Sequence, residues 1–338
     1  LTEMRELFAE TPLQLNDHLS ARHDARVWLK REDLSPVRSY KIRGAFNFIR
    51  KAIARDGGPD MFVCASAGNH AQGFAYVCRH FGRKGVVFMP VTTPQQKIDK
   101  TRTFGGEFIE IRMIGDTFDA CYAAAIDFAR DNHAMMAPPF DHIDIVEGQA
   151  TVAAEITAQL PDGETPDLVI LPVGGGGLAA GITRYFEHRL PDEVFLFAEP
   201  AGAPSLAESL KAGRRLKLPK VDNFVDGAAV AEIGALNFEL LKHFPADQAA
   251  DIINNFCRGI DKFCQARNSA CAHGVDRARN CDHVLNIVCV TWRINVRVVS
   301  VGCLVFDVPA RIGTRGLCER ECVSRMRDDS ASSPSPRA

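Results

Sequence analysis

Short apolar runs alternate with amphipathic stretches along the first three quarters of the chain, and each has a length suited to one type of element. Apolar residues dominate 27–30, 61–65, 85–89 and 107–111, which are predicted as strands. Between them, 44–55 sets Ala45, Phe46, Phe48 and Ile49 among charged residues, as a helix buried on one side does. Further helices are predicted over 69–79, opening at a glycine turn, over 116–132 and over 145–160. Another runs to about 105, with Thr93 as N-cap and Pro94 in its first turn. The stretch 167–173 is almost continuously apolar, the pattern of a strand in a sheet covered on both faces, and 194–198 is a further strand. Strands that alternate with helices in this way imply parallel sheets wrapped in helices, an α/β class.

A chain of 338 residues is long enough for two such domains, each with its own core. Its formal charge of −2 and the lack of a basic stripe argue against nucleic acid or an anionic membrane surface as partner, leaving a small molecule. No apolar run approaches the roughly 18 residues of a membrane span, and no targeting pattern opens the chain, so a soluble cytoplasmic protein is expected. Composition changes late in the chain. Cys64, Cys78 and Cys121 precede residue 250, whereas the other eight of the 11 cysteines lie at 257 or beyond. From Cys257 onward Lys262 is the one lysine and arginine becomes frequent. Helical periodicity is lost there too. Residues 257–338 are therefore expected to be an atypical tail, frameshifted or poorly ordered, ending in a Ser/Pro-rich stretch. A zinc module is the alternative, since Cys271-Ala272-His273 and Cys281-Asp282-His283 repeat, but the tail lacks a CxxC pair and no metal is expected.

Three blocks carry chemistry. Lys41 lies in Ser39-Tyr40-Lys41-Ile42-Arg43-Gly44-Ala45, where burial and the neighbouring Arg43 would lower the lysine pKa and leave an amine able to hold an aldehyde as a Schiff base. Ser66-Ala67-Gly68-Asn69-His70 joins a strand to a helix, so its N–H groups and the Ser66 hydroxyl form an anion nest. Gly174, Gly175, Gly176 and Gly177, followed by Leu178 at a helix start, bring consecutive N–H groups round a phosphate. All three stand at carboxyl ends of predicted strands, where open α/β sheets bind ligands. A rival exists at the third block. Gly174, Gly176 and Ala179 also fit a loose GxGxxA dinucleotide pattern, with Glu199 at a strand end suitably downstream for a ribose, which would make an NAD-dependent oxidoreductase.

The blocks SYKIRGA, ASAGNHAQG and PVGGGGLAAG, in this order and spacing, resemble the fold-type II pyridoxal phosphate (PLP) enzymes, and within them the biosynthetic threonine dehydratases (threonine ammonia-lyases). Thr11-Pro12-Leu13-Gln14, Leu29-Lys30-Arg31-Glu32-Asp33, Glu199-Pro200-Ala201-Gly202-Ala203 and Phe224-Val225-Asp226-Gly227-Ala228-Ala229 extend the likeness from about Glu10 to about Leu241. The resemblance implies two parallel-sheet α/β domains of the tryptophan synthase β-subunit-like type with PLP in the cleft between them. It divides the chain into a large domain (1–30 and 134–256) and a small domain (31–133). It also implies site roles. Lys41 is the Schiff-base lysine and catalytic base. Asn69 meets the cofactor's phenolic oxygen, Gly174 to Leu178 hold its phosphate, and Glu199 lines the site beside it. Ser66, Ala67, Gly68 and the neighbouring His70 form the substrate-carboxylate turn, with His70 given no catalytic task.

The activity implied is a lyase that deaminates L-threonine to 2-oxobutanoate and ammonia, the first step of isoleucine biosynthesis, with L-serine to pyruvate as a side activity, in a homo-oligomer (dimer or tetramer). Alternatives are a serine racemase or serine dehydratase of the same fold, the oxidoreductase above, or an inactive relic that the aberrant tail cannot complete. The family's residue facing the pyridine nitrogen has no recognisable counterpart in that tail.

Overall fold

The computed structural model describes residues 1–250, apart from 24, 56, 162, 163, 188 and 190–193, together with one strand at Ile287–Trp292. The chain opens with a one-turn helix α1 (Met4–Leu7), strand β1 (Leu13–Leu15), helix α2 (Asp17–His23) and strand β2 (Arg26–Arg31). Next come α3 (Lys41–Ala54), β3 (Met61–Ala65), α4 (Asn69–His80), β4 (Lys84–Met89), α5 (Gln95–Gly105), β5 (Ile109–Met113), α6 (Phe118–Asp131) and β6 (Met135–Met136). Helix α7 (Ile143–Gln159) leads into β7 (Leu168–Pro172), α8 (Gly177–Glu187), β8 (Val194–Ala198), α9 (Ser205–Ala212), α10 (Ala235–Leu241), β9 (Ala249–Ala250) and β10 (Ile287–Trp292).

Two sheets organise these elements. The first has the order β5-β4-β3-β6 and is parallel throughout. Phe62, Cys64, Val87 and Met89 bury one of its faces among α3, α4 and α7 residues, and Val63, Ala65, Val86 and Phe88 bury the other against Cys121, Ala125 and Ala129 of α6. The fourfold spacing of those three small α6 residues puts them on one helix face. The second sheet has the order β1-β2-β10-β7-β8-β9. Its β7-β8-β9 part is parallel and packs on α7, α8 and α9 through Val169, Leu171, Phe195, Phe197, Ile182 and Leu206.

The α/β class holds, while strand sense in the second sheet is mixed rather than purely parallel. Strands β1 and β2 are antiparallel because the segment 16–25 is shorter than the dozen or so residues a parallel crossover takes. Strand β10 lies between β2 and β7, antiparallel to both. It comes from within the predicted atypical tail, where Ile287-Val288-Cys289-Val290-Thr291-Trp292 is a run of β-branched and aromatic residues with strong strand preference. The rest of that tail, including the two Cys/His repeats, lies outside the described residues.

Helix α3 starts at Lys41, earlier than the apolar pattern predicts, because Ser39 Oγ accepts the Lys41 N–H and Arg43 is buried. Thr93 does not cap α5: its hydroxyl donates to the Pro90 carbonyl, and the helix begins at Gln95 after Pro94. Among the described residues no helix is long and apolar enough to cross a membrane, and no group of three or more His, Cys, Asp or Glu side chains is placed to hold a metal.

Candidate active site

Lys41, the first residue of α3, reaches into a cleft at the carboxyl ends of both sheets. Tyr40, Lys41 and Asn69 line it from the side of the four-stranded sheet, and Pro172, Val173 and Gly174, with Gly227 and Ala228, from the other. Lys41 Nζ donates to the Pro139 carbonyl at 2.8 Å and stands 5.6 Å from the centres of the Tyr40 and Phe140 rings. Burial lowers its pKa to about 8, so an appreciable fraction of the amine is neutral near physiological pH. A neutral amine is the form that attacks a carbonyl or removes a proton.

Arg43 contributes nothing to that depression, contrary to the sequence expectation. Two residues on, about half a helical turn, its guanidinium points away from Lys41 into a solvent-free cluster. It donates to Glu32 at 2.7 and 2.8 Å, to Glu155 at 2.7 and 2.8 Å and to Thr11 at 3.1 Å. Lys30 Nζ donates to Glu155 at 2.6 Å in the same cluster, and Arg5 reaches Glu155 from α1 at 2.6 Å. Burial would raise the Glu155 carboxyl, but the hydrogen bonds and charges of Arg43 and Lys30 outweigh it and bring the pKa to about 2. For Lys30, burial prevails over the attraction of Glu155 and lowers its pKa. The cluster ties the N-terminal segment, β2, α3 and α7 together immediately beneath the lysine. Glycines let α7 come close, since a Cβ on Gly148 would lie 2.5 Å from the Arg43 carbonyl oxygen.

The turn from β3 into α4 has the predicted form. Ser66 N–H bonds the Phe88 carbonyl at the end of β4, and Ser66 Oγ accepts the Gly68 N–H at 3.2 Å, leaving the hydroxyl proton to donate elsewhere. Ala67 and Gly68 are half-buried, a Cβ on Gly68 would meet open space, and Asn69 begins the helix at the cleft wall. His70 faces another way. Its Nε2 lies 3.0 Å from the Ala137 carbonyl, and burial together with the Lys41 charge lowers its pKa to about 3. A ring so held is neutral at physiological pH and donates to that carbonyl, which makes it a support for the β6 segment rather than a proton donor.

The four glycines form the turn between β7 and α8. Gly176 has φ +87°, a conformation costly for any L side chain. A Cβ on Gly175 would overlap the Phe140 ring at 2.3 Å, and one on Gly177 would lie 2.9 Å from the Phe140 carbonyl oxygen. The Gly176 carbonyl accepts the Ala180 N–H at 2.8 Å and so belongs to the first turn of α8. Leu178 sends its side chain into the core, so its backbone N–H is the only part able to face a ligand. Glu199 is buried, and its two oxygens accept the N–H groups of Leu206 and Ala207 at 2.8 Å each. It caps α9 with both carboxylate oxygens.

Sequence reasoning missed several residues of this region. Gly227 and Ala228 line the cleft but were legible only as part of a familiar stretch, and Pro139, Phe140 and Asp141 carry no chemical signature.

A lysine of lowered pKa, an asparagine and the first glycine of the turn border one cleft, groups suited to an aldehyde, a ring oxygen and a phosphate. Residues 4–258 match the family model described as "Pyridoxal-phosphate dependent enzyme". The chain belongs to the pyridoxal-phosphate-dependent enzyme family. The match ends where the composition changes. The biosynthetic L-threonine dehydratase of Mycobacterium tuberculosis is 48% identical over 231 residues, 68% of this chain and 53% of that protein. This PLP-family chain thus spans about half the length of the curated relatives it matches. The processed form of threonine deaminase isoform 2 from Solanum lycopersicum superposes with a TM-score of 0.69 at 33% identity, covering 82% of this chain and 73% of that one. Maize serine racemase gives the same TM-score at 23% identity, covering 84% and 85%, and shows the fold alone.

The residues fit the family's cofactor. Lys41 would hold its aldehyde, Asn69 its ring oxygen, and the backbone N–H groups from Gly175 to Leu178 its phosphate, since at each glycine a Cβ would strain the turn or clash. The oxidoreductase reading is excluded by family membership.

Proposed function

We propose that the chain carries the machinery of a PLP-dependent lyase that deaminates L-threonine to 2-oxobutanoate and ammonia, the first step of isoleucine biosynthesis, with L-serine to pyruvate as a side activity. The observation that carries the reading is the convergence of Lys41, with its lowered pKa, Asn69 and Gly174, which opens the tetraglycine turn, on one cleft. When bound, the cofactor supplies an aldehyde carbon for amines and a conjugated ring that spreads the charge left at a deprotonated carbon. The chain's own residues do the rest. The Ser66 hydroxyl and the N–H groups at the start of α4 take the substrate carboxylate, which fixes Cα relative to Lys41. Lys41 Nζ, released when the substrate amine takes its place and neutral in part near pH 8, removes the Cα proton; the β-hydroxyl then takes up a proton and leaves as water, and water adding to the freed enamine gives 2-oxobutanoate and ammonia. Tyr40 and Phe140 flank Nζ and limit water around it.

The dehydratase reading is favoured over a serine racemase or serine dehydratase because the threonine-named relatives have the higher identities. The proposal places residues 31–133 in a small domain and 1–30 with 134–256 in a large one, in a cytoplasmic homo-oligomer. The purified full chain, mixed with PLP, should gain the visible absorbance of a lysine-bound aldehyde and release 2-oxobutanoate from threonine, and Lys41→Ala should do neither. Absorbance without turnover of threonine or serine would favour the inactive relic. No absorbance at all would overturn the proposal.

A further inference from the structure

We infer that Asn237 is a positioning residue of the phosphate nest: it orients the peptide between Gly175 and Gly176 so that the Gly176 N–H faces the cleft. The inference rests on the functional reading above and concerns a residue to which the motifs assign no role.

Asn237 is fully buried in α10, behind the glycine turn. Its Nδ2 donates to the Gly175 carbonyl at 2.7 Å and to the Phe140 carbonyl at 3.2 Å. The Gly234 N–H donates to the same Gly175 carbonyl at 3.2 Å. Both lone pairs of that oxygen are therefore engaged from the side of α10. A trans peptide is planar, with its carbonyl and the following N–H pointing opposite ways. Fixing the Gly175 carbonyl toward α10 thus fixes the Gly176 N–H away from it, toward the cleft that Gly174 lines. The next peptide is set by the helix itself, because the Gly176 carbonyl accepts from Ala180 and so turns the Gly177 N–H out of the helix end. Among the described residues, no acceptor takes the N–H of Gly175, Gly176 or Gly177.

Four consecutive glycines have wide conformational freedom, so such orientation has to be imposed from outside the turn. Asn237 Oδ1, the other half of the same amide, is buried without a partner. An unpaired buried oxygen is destabilising, and a leucine of similar volume would avoid it. The amide is explained if its N–H groups are needed where they are. The brace is itself held: Asp141 accepts the N–H groups of Ala235, Leu236 and Asn237 at 2.8, 3.0 and 3.4 Å, and a Cβ on Gly176 would come within 3.0 Å of the Asn237 Cβ.

The test uses the full chain freed of cofactor, as wild type, Asn237→Asp and Asn237→Leu, titrated with pyridoxal phosphate and separately with pyridoxal, which lacks the phosphate. Each variant should lose about 10- to 100-fold in affinity for pyridoxal phosphate, the range for a hydrogen bond to a charged group, with pyridoxal affinity near wild type and a thermal midpoint lowered by a few degrees at most, since the Phe140 carbonyl loses its donor. An equal loss for both aldehydes, no loss for either, or a variant that fails to fold would each overturn the inference, since the role assigned is orientation of one turn and not support of the fold. A wild type that binds neither aldehyde would instead remove the functional reading beneath it.

Discussion

Glu155→Gln removes one charge from the cluster beneath Lys41 while keeping side-chain shape. The Glu155 carboxylate has no solvent exposure and accepts from Arg5 and Lys30 at 2.6 Å each and from Arg43 at 2.7 and 2.8 Å. Burial pushes its pKa up, but Arg43 and Lys30 bring it from 4.5 down to about 2. At about 1.36 kcal/mol per pH unit, that displacement corresponds to about 3 kcal/mol, within the 3–5 kcal/mol typical of breaking a buried ion pair. Stability at pH 7 should therefore fall by about 3 kcal/mol, or about 4 °C in the thermal midpoint at roughly 2.1 cal/mol/K of unfolding entropy per residue over 338 residues. The pH dependence has a definite sign. A carboxylate whose folded pKa lies below its unfolded value stabilises fully above about 4.5 and loses that contribution as pH falls toward 2. Glutamine has no such group, so the gap between wild type and variant should narrow on acidification. Urea unfolding of the full chain, followed by circular dichroism from pH 7 down to pH 3, measures both. A gap under about 1 kcal/mol at pH 7, typical of exposed pairs, or one that stays constant on acidification, would refute the assignment.

Three further outcomes are expected. Gly176→Asp should weaken PLP binding far more than it slows the bound fraction, because it forces a side chain onto φ +87° and sets a carboxylate against a phosphate; an unchanged dissociation constant would contradict the nest. Ser66→Ala should raise the KM for threonine with little change in cofactor absorbance, and loss of absorbance at constant KM would show the turn to serve the cofactor instead. The rate of PLP capture by the cofactor-free chain should rise with pH, pass half its maximum near 8 and level off about one to two pH units higher, as the Lys41 amine becomes fully neutral; stopped-flow absorbance with a midpoint of about 10 would mean an unperturbed lysine.

Much of the fold was legible because apolar periodicity reports burial directly. Strand β3 and helix α4 start where the pattern puts them, and the glycine turn falls between β7 and α8. The errors have physical causes. Arg43 reads as a free cation because a sequence does not reveal that Glu32, eleven residues upstream, and Glu155, over a hundred downstream, converge on it. What Glu199 touches was hidden for the same reason, since its strand-end position is visible whereas its use as a cap for α9 depends on where that helix begins. The loss of helical periodicity past residue 256 hid β10, since a six-residue run of strand-preferring residues stands out little where no regular pattern surrounds it.

The least legible part of the site joins the rest of it. Pro139, Phe140 and Asp141 are consecutive and show no catalytic residue pattern, yet each touches a different component. The Pro139 carbonyl accepts from Lys41 Nζ. The Phe140 ring backs Gly175, and the Phe140 carbonyl accepts from Asn237. Asp141 caps the helix that carries Asn237. A shift of this segment by even a fraction of an ångström would move the lysine anchor, the wall of the phosphate turn and its brace together. The amine and the phosphate nest stand at the starts of helices packed on different sheets, so their separation is set by what lies between them, and these three residues span that interval through backbone carbonyls and one cap. Backbone carbonyls are contributed by every residue type. That is why the coupling leaves almost no trace in side-chain chemistry, and why the proline and phenylalanine here act through shape: one fixes the chain direction at the carbonyl that meets Lys41, and the other fills the space that four glycines leave open.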